Sequence, residues 1–327
     1  MRTVDAKLLL ALGLIASTGL SPVRRCIVSA ESTSILSERS SRTGSVRSEL
    51  ANLEREQGLS MAALTSDGLQ FLVFESDKIE VADTPPLAGA WPLLISPDGS
   101  QLALSSGHLK VMRRDGSGAR EYSNIEREKR FGDICWSHDG SKLALGAANL
   151  ALKPASYALQ VVSLATADAS NVDAKGVVTS QCWSPDDKQI VYSIRSHGGQ
   201  EPGTIWVYDT VDRSSRSLTL GDSPTWSPDG KWIAFRNGDA YFTVNPLGKS
   251  EKMLFKRREP STGLLWSPDQ RFVAYYSKIG FLEGGWHTWE AGGLRIRRLE
   301  DDAEYSSSFG FSGEAEWMLD PKFKGSR

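Results

Sequence analysis

The segment Pro-Thr-Trp-Ser-Pro-Asp-Gly-Lys-Trp-Ile-Ala-Phe (224–235) decides the fold, because the chain repeats it. Its centre, Ser-Pro-Asp-Gly, suits a tight hairpin turn: Pro presets φ, Asp bonds its own backbone, and Gly accepts positive φ. A short strand ending in a large apolar residue precedes the turn, and a β-rich run follows it. Further copies occupy residues 93–104, 134–145, 181–192 and 264–275, with a degenerate sixth at 309–319. The marker serines are Ser96, Ser137, Ser184, Ser227, Ser267 and Ser312, at intervals of about 40 to 47 residues. Such a period marks an array of supersecondary units.

Each unit has room for more strands. Thr204-Ile-Trp-Val-Tyr-Asp209 and Leu159-Gln-Val-Val-Ser-Leu164 read as third strands, and Ser215-Arg-Ser-Leu-Thr-Leu220 as a fourth. Four short antiparallel strands per forty-odd residues make one propeller blade. A β-sandwich would not place one turn motif six times in phase. The fold class is therefore all-β, a six-bladed β-propeller of four-stranded antiparallel blades. The residue before each marker serine is Ile95, Trp136, Trp183, Trp226, Trp266 or Phe311, as inter-blade packing requires. The turn carboxylates Asp98, Asp139, Asp186, Asp229 and Asp269 belong to the same structural repeat. Near the ends, Leu69-Gln-Phe-Leu-Val-Phe74 and Lys78-Ile-Glu-Val-Ala82 would supply two strands to the last blade, closing the ring and removing an exposed edge. Seven blades is the alternative, if Thr65-Ser-Asp-Gly68 marks a short copy of its own.

The phrase Trp-Ser-Pro-Asp-Gly-Lys-Trp-Ile-Ala-Phe resembles the repeat of the TolB-like propellers, shared with the propellers of prolyl oligopeptidase-like enzymes. The resemblance covers roughly residues 60–320 and is specific at the level of repeat and fold. Residues 31–59 are too few for TolB's N-terminal α/β domain. What the resemblance implies is an exported, periplasmic six-bladed propeller that binds other molecules.

Composition agrees with a large folded chain. Of 327 residues 40% are hydrophobic and 10 are Trp, which excludes wholesale disorder and collagen-like or coiled-coil classes. A net charge of −2 lacks the basic excess of a dedicated nucleic-acid binder. Only 3 Cys occur, too few for a disulfide scaffold or a Cys-rich zinc protein.

Residues 1–30 are expected to be a signal peptide. Arg2 and Lys7 precede an uncharged run from Leu8 to Leu20, and Val28-Ser29-Ala30 offers small-residue spacing for cleavage. As a helix the run would span about 20 Å, short of a bilayer core of roughly 30 Å. Cys26 follows Val-Arg-Arg, not the small apolar residues expected before a lipidated cysteine. Membrane attachment would come only through this segment left uncleaved. Removing it takes Arg2, Lys7, Arg24 and Arg25 against Asp5, leaving a more acidic remainder suited to a soluble exported protein. Residues 31–59 read as a polar linker with a short surface helix near 45–57, and residues 60–327 as the propeller.

The search for chemistry finds no Gly-x-Ser-x-Gly, phosphate loop, His-Glu-x-x-His or Cys-x-x-Cys. His138 replaces Pro in a turn and reads as structural; His108, His197 and His287 lack a ligand spacing, so neither metal nor cofactor is expected. Glu300-Asp301-Asp302 reads as a solvated turn. Cys135 and Cys182 share one slot in successive blades and read as two small buried thiols, on the argument that neighbouring inner strands hold them beyond the roughly 7 Å bridging limit.

Loop lengths say more. Blade five carries an insertion at 277–293 with Gly at both flanks, holding Phe281, Trp286, His287 and Trp289 beside Glu283 and Glu290. Long insertions on rigid scaffolds collect binding residues, and aromatic anchors beside polar groups suit a peptide or a stacked sugar. The Trp residues simply pinning the insertion to the propeller is the competing reading. Loops at 147–156 and 195–203 would flank the same face, with Arg195, His197 and Arg236 lining its mouth. Of the ten Trp, only Trp286 and Trp289 have no place in the repeat. The reading is an exported non-catalytic propeller that binds a protein or peptide, not nucleic acid, through its loop face. The alternative is a propeller-type glycan lyase or hydrolase with its site at the channel mouth.

Overall fold

The structure, a computed structural model, describes residues 30–65, 68–82, 93–105, 109–122, 134–149, 156–196, 202–257, 263–283, 286–307 and 315–319. Two units divide the chain, Met1–Glu38 and Arg39–Arg327. The described part of the first is the opening of a helix, Ala30–Gln57, that runs on into the second. The apolar run at 8–20 lies outside the described residues. Among the described residues no helix is long and apolar enough to cross a membrane.

Six four-stranded antiparallel sheets follow. Blade one is Leu93–Ile95, Gln101–Ser105, Leu109–Arg113 and Arg120–Tyr122; blade two is Ile134–Trp136, Lys142–Asn149, Ser156–Ser163 and Ala169–Ala174. Blade three is Val177–Trp183, Gln189–Arg195, Thr204–Asp209 and Ser215–Leu220; blade four is Asp222–Trp226, Ile233–Asn237, Ala240–Val244 and Lys252–Lys256. Blade five is Leu265–Trp266, Phe272–Glu283, Trp286–Arg298 and Glu304–Ser306. Blade six joins the ends: Ala315–Leu319 pairs with Leu59–Thr65, which continues through Gly68–Val73 and Lys78–Ala82. The six-bladed propeller read from the repeat is thus the fold.

The repeated turn is held by one small network. Ser96 Oγ donates to Asp98 Oδ1 at 2.6 Å and accepts the Gln101 amide at 2.9 Å, while the Gly99 amide closes onto the Ser96 carbonyl at 2.8 Å. The same serine–aspartate bond recurs at Ser137, Ser184, Ser227 and Ser267. All five hydroxyls are buried, and each is satisfied as donor and acceptor. The fourth turn position needs positive φ, which Gly99, Gly140 and Gly230 supply near 70°. Asp187 takes that position at φ 56° and uses its carboxylate: Oδ1 accepts the His138 amide at 2.7 Å and Oδ2 the Asp139 amide at 2.9 Å. His138, standing where the repeat has Pro, provides the N–H that Pro would lack. These two departures bond to each other across blades two and three; a third, Gln270 of blade five, takes the fourth position at φ 62°.

The core lies between blades. Trp136 packs with Leu94, Ala103 and Leu109 of blade one, Trp183 with Ala144 and Leu159 of blade two, and Trp226 with Val191, Ile205 and Val207 of blade three. Each indole therefore faces the preceding blade.

Blade six departs from expectation in two ways. It takes three strands from the N-terminal side, not two. In blades one to five the inner strand ends just before the marker serine, whereas Ala315–Leu319 comes after Ser312. Phe311 lies outside the described residues, and Trp317 fills the inter-blade position. Its ring is 6.2 Å from Phe74, and its Nε1 donates to the Leu265 carbonyl of blade five at 3.2 Å. Thr65 pairs with Gly68 inside this sheet, so that stretch is an internal hairpin and not a seventh blade.

The polar stretch before the propeller also differs from a linker with a short helix. It is a 28-residue helix, and Val46, Leu50, Ala51 and Leu53 are buried with Met61, Leu72 and Phe74 of blade six and Phe272, Leu294 and Ile296 of blade five. Those positions fall on one stripe at helical spacing. Glu49 accepts Arg271 at 2.5 Å and Arg298 at 2.7 Å, and Arg47 Nε donates to the Phe74 carbonyl at 2.9 Å. The second half of the helix is a wedge between the last two blades.

Candidate functional site

Every Ser-Pro-Asp turn lies at one end of the propeller, so the connections from second to third strands lie at the other. They differ in reach. Blade four turns tightly, with Asn237 opposite Ala240. Blade two runs to Asn149 opposite Ser156, and blade five to Glu283 opposite Trp286. The insertion read as a loop at 277–293 is a two-stranded ribbon that carries blade five well past its neighbours.

Register places the expected residues along that ribbon. Glu283 pairs with Trp286, Leu282 with His287, Gly280 with Trp289 and Ile279 with Glu290. Because successive strand residues alternate, positions 283, 286 and 290 share one face of the ribbon and positions 287 and 289 the other. His197 lies outside the described residues.

Arg195 is paired with a carboxylate that sequence reasoning missed. Arg195 ends the second strand of blade three, and Asp222 begins the inner strand of blade four. Their side chains form a two-pronged ion pair, Nε to Oδ1 at 2.7 Å and Nη2 to Oδ2 at 2.5 Å. Arg236 stands opposite Asp222 in register, and its buried Nε has no hydrogen-bond partner. Asp222 is 7% exposed and seated against bare backbone: a Cβ on Gly203 would lie 2.7 Å from its Oδ1. The carboxylate holds the Arg195 guanidinium above its ordinary range by hydrogen bonding to it. In the sequence, Gly221-Asp222-Ser-Pro reads as one more turn, so nothing local marked the carboxylate.

The root of the ribbon is clamped by a second cluster. Glu304 accepts from Tyr275 and lies 3.4 Å from Arg257, 3.6 Å from Arg295 and 3.8 Å from Arg297. Arg257 also covers the Tyr275 ring at 4.5 Å. Burial, then the neighbouring carboxylate, pushes the Tyr275 phenol far above its ordinary range. This network ties the outer strand of blade four to blade five where the ribbon departs. On the opposite end, Asp301 and Asp302 are paired with Arg298 and Arg297.

No family model and no curated protein matches the chain. Among solved structures it is similar to a TolB from Agrobacterium tumefaciens, at 19% identity over 79% of this chain and 87% of that one, TM-score 0.52. An oligogalacturonate lyase from Vibrio parahaemolyticus is similar at 12% identity over 76% and 78%, TM-score 0.52. A chain of a nidogen/laminin complex is similar at 10% identity over 81% and 95%, TM-score 0.55. At these identities the likeness is one of fold alone, a β-propeller.

Proposed function

We propose that the chain is an exported, non-catalytic propeller that binds a protein or peptide partner through the end opposite its Ser-Pro-Asp turns. One observation carries this reading. Blade five extends past its neighbours as a ribbon bearing Phe281, Trp286 and Trp289, on the same end as the Arg195–Asp222 ion pair and Arg236. Aromatic and arginine anchors beside a rigid scaffold are the residue types that carry protein recognition. Export is part of the proposal and rests on residues 1–30 together with the TolB-like fold. The competing reading is an enzyme acting on acidic sugars. Its support is the oligogalacturonate lyase that shares the fold.

Affinity capture from an envelope fraction, by the full chain and by a Trp286→Ala/Trp289→Ala/Arg236→Ala variant, tests the proposal. A partner captured by the parent chain should be lost with the variant while the melting temperature is kept. Capture unchanged by the variant would sink this site. Cleavage of oligogalacturonate by the parent chain, abolished by Arg236→Ala, would establish the enzyme reading instead.

A further inference from the structure

A cavity of about 430 Å³ opens between the outer halves of blades one and two, on the end that carries the Ser-Pro-Asp turns and away from the ribbon. Its lining comes mostly from one face of blade one. Gln101 stands opposite Arg113, Val111 opposite Arg120, and Leu109 opposite Tyr122. Alternation puts all of these side chains on the face toward blade two, where Leu109, Val111 and Tyr122 join the core around Trp136. Leu164, just past the third strand of blade two, completes the apolar floor. Arg120 is fixed above it: Nη1 donates to the Leu164 carbonyl at 2.8 Å and the Ala165 carbonyl at 3.3 Å, and the guanidinium lies 5.1 Å from the Tyr122 ring centre. Arg113 is folded over Gly118, whose φ of 63° and missing side chain leave it room; Nη1 lies 3.4 Å from where a Cβ would stand.

The charges lining this cavity are not balanced. Among the described residues neither Arg113 nor Arg120 has a carboxylate within ion-pair distance. Asp115 of the same hairpin is exposed and accepts the Ser117 amide at 2.8 Å, Asp98 is taken by Ser96 and Ser100, and alternation turns Glu121 to the opposite face. Like charges on neighbouring strands of one face repel, and an anion between them would relieve both. We propose that the cavity binds a small organic carboxylate, its oxygens held by Arg113 and Arg120 and its apolar body laid on Val111, Tyr122 and Leu164. With Nη1 anchored to backbone carbonyls, Arg120 keeps its Nε and Nη2 edge for the ligand, the same edge by which Arg195 holds Asp222. That planar fork matches the two coplanar oxygens of a carboxylate better than it matches a tetrahedral anion without an apolar body on this floor. The Gln101 side-chain amide, with no hydrogen bond of its own among the described residues, adds a neutral donor beside Arg113. The volume falls within the range of small-ligand sites, roughly 300–1,000 Å³.

Benzoate and hexanoate, each titrated into the full chain and followed through the nitrogen-15 resonances of the arginine Nε–H groups, test the site. Both probes should shift two of these signals saturably, the two being assigned by their loss in Arg113→Gln and Arg120→Gln variants. Each substitution should weaken the probes roughly fivefold, and raising the ionic strength should weaken them in the parent chain as well. Arg113 is exposed, so Arg113→Gln should keep the parent melting temperature and reads binding without a change in folding. Benzamide, the neutral isostere of benzoate, and inorganic phosphate, which has no apolar body, should bind roughly tenfold more weakly than benzoate. No saturable shift with either probe, or affinity unchanged in both variants, would overturn the proposal. Benzamide binding as tightly as benzoate would overturn it by showing that the arginines do not read charge. Phosphate binding as tightly would overturn it by making the cavity a site for bare oxyanions.

Discussion

Glu54 is the residue through which the N-terminal helix should make stability depend on pH. It is 5% exposed; Oε2 accepts the Phe74 amide at 3.1 Å, and Oε1 is buried with no hydrogen-bond partner. Burial, against the Phe74 and Glu75 amides and with Glu75 and Glu80 adding repulsion, raises its pKa from 4.5 to about 7. A carboxyl that holds its proton more tightly folded than unfolded makes the folded state lose stability as pH rises between those two values. At roughly 1.4 kcal/mol per pH unit the ceiling is on the order of 3 kcal/mol. Water reaching the helix margin and local relaxation reduce that to about 1–2 kcal/mol. Glu54→Gln keeps the acceptor for Phe74 and cannot ionise. Its melting temperature should match the parent near pH 4.5 and exceed it by about 2–6 °C at pH 8. Thermal melts of both proteins followed by circular dichroism between those limits, at fixed ionic strength, make the comparison. Parallel curves, or a Gln variant less stable at pH 8, would refute the reasoning: the carboxylate would then be solvated or paired, and the wedge not closed over it.

Two further outcomes follow from the blades. Trp183 is fully buried, and its indole N–H has no hydrogen-bond partner, so Trp183→Phe should cost about 1 kcal/mol against roughly 3–5 for Trp183→Ala in denaturant titrations; equal losses would show that shape, not burial, governs the seam. The marker hydroxyls lower the turn carboxylates Asp98 and Asp186 below 3.8, and Ser137 with Ser141 brings Asp139 to about 2. Carboxyls depressed in the folded state stabilise it above their unfolded values and lose that contribution as pH falls. In the Glu54→Gln background the melting temperature should therefore drop steadily from about pH 4 toward pH 2, and a flat acid limb would contradict the turn network.

The repeat was legible because its chemistry is local. Ser, Asp and a residue tolerant of positive φ build the turn within six residues, and the large apolar residue before the serine announces the seam, so blade number could be read directly. The wedge helix was not legible, since its buried stripe is only Val46, Leu50, Ala51 and Leu53 in an otherwise polar stretch, and its value depends on what blades five and six leave uncovered. The sixth turn was misplaced for a related reason: at the ring's closure three strands come from the other terminus, and the phase of the repeat no longer dictates which strand is innermost. Of the candidate site, Arg195 and Arg236 were named from the sequence, but the carboxylate that pairs with Arg195, Asp222, sits in a Gly-Asp-Ser-Pro stretch indistinguishable from a turn. Short-range hydrogen bonding and alternation act between neighbours in sequence, so the sequence alone determined the blade, its number and its seams. Burial and long-range pairing act between residues 20 to 250 apart, so only the tertiary structure decided what the helix covers, where the ring closes and which charges meet.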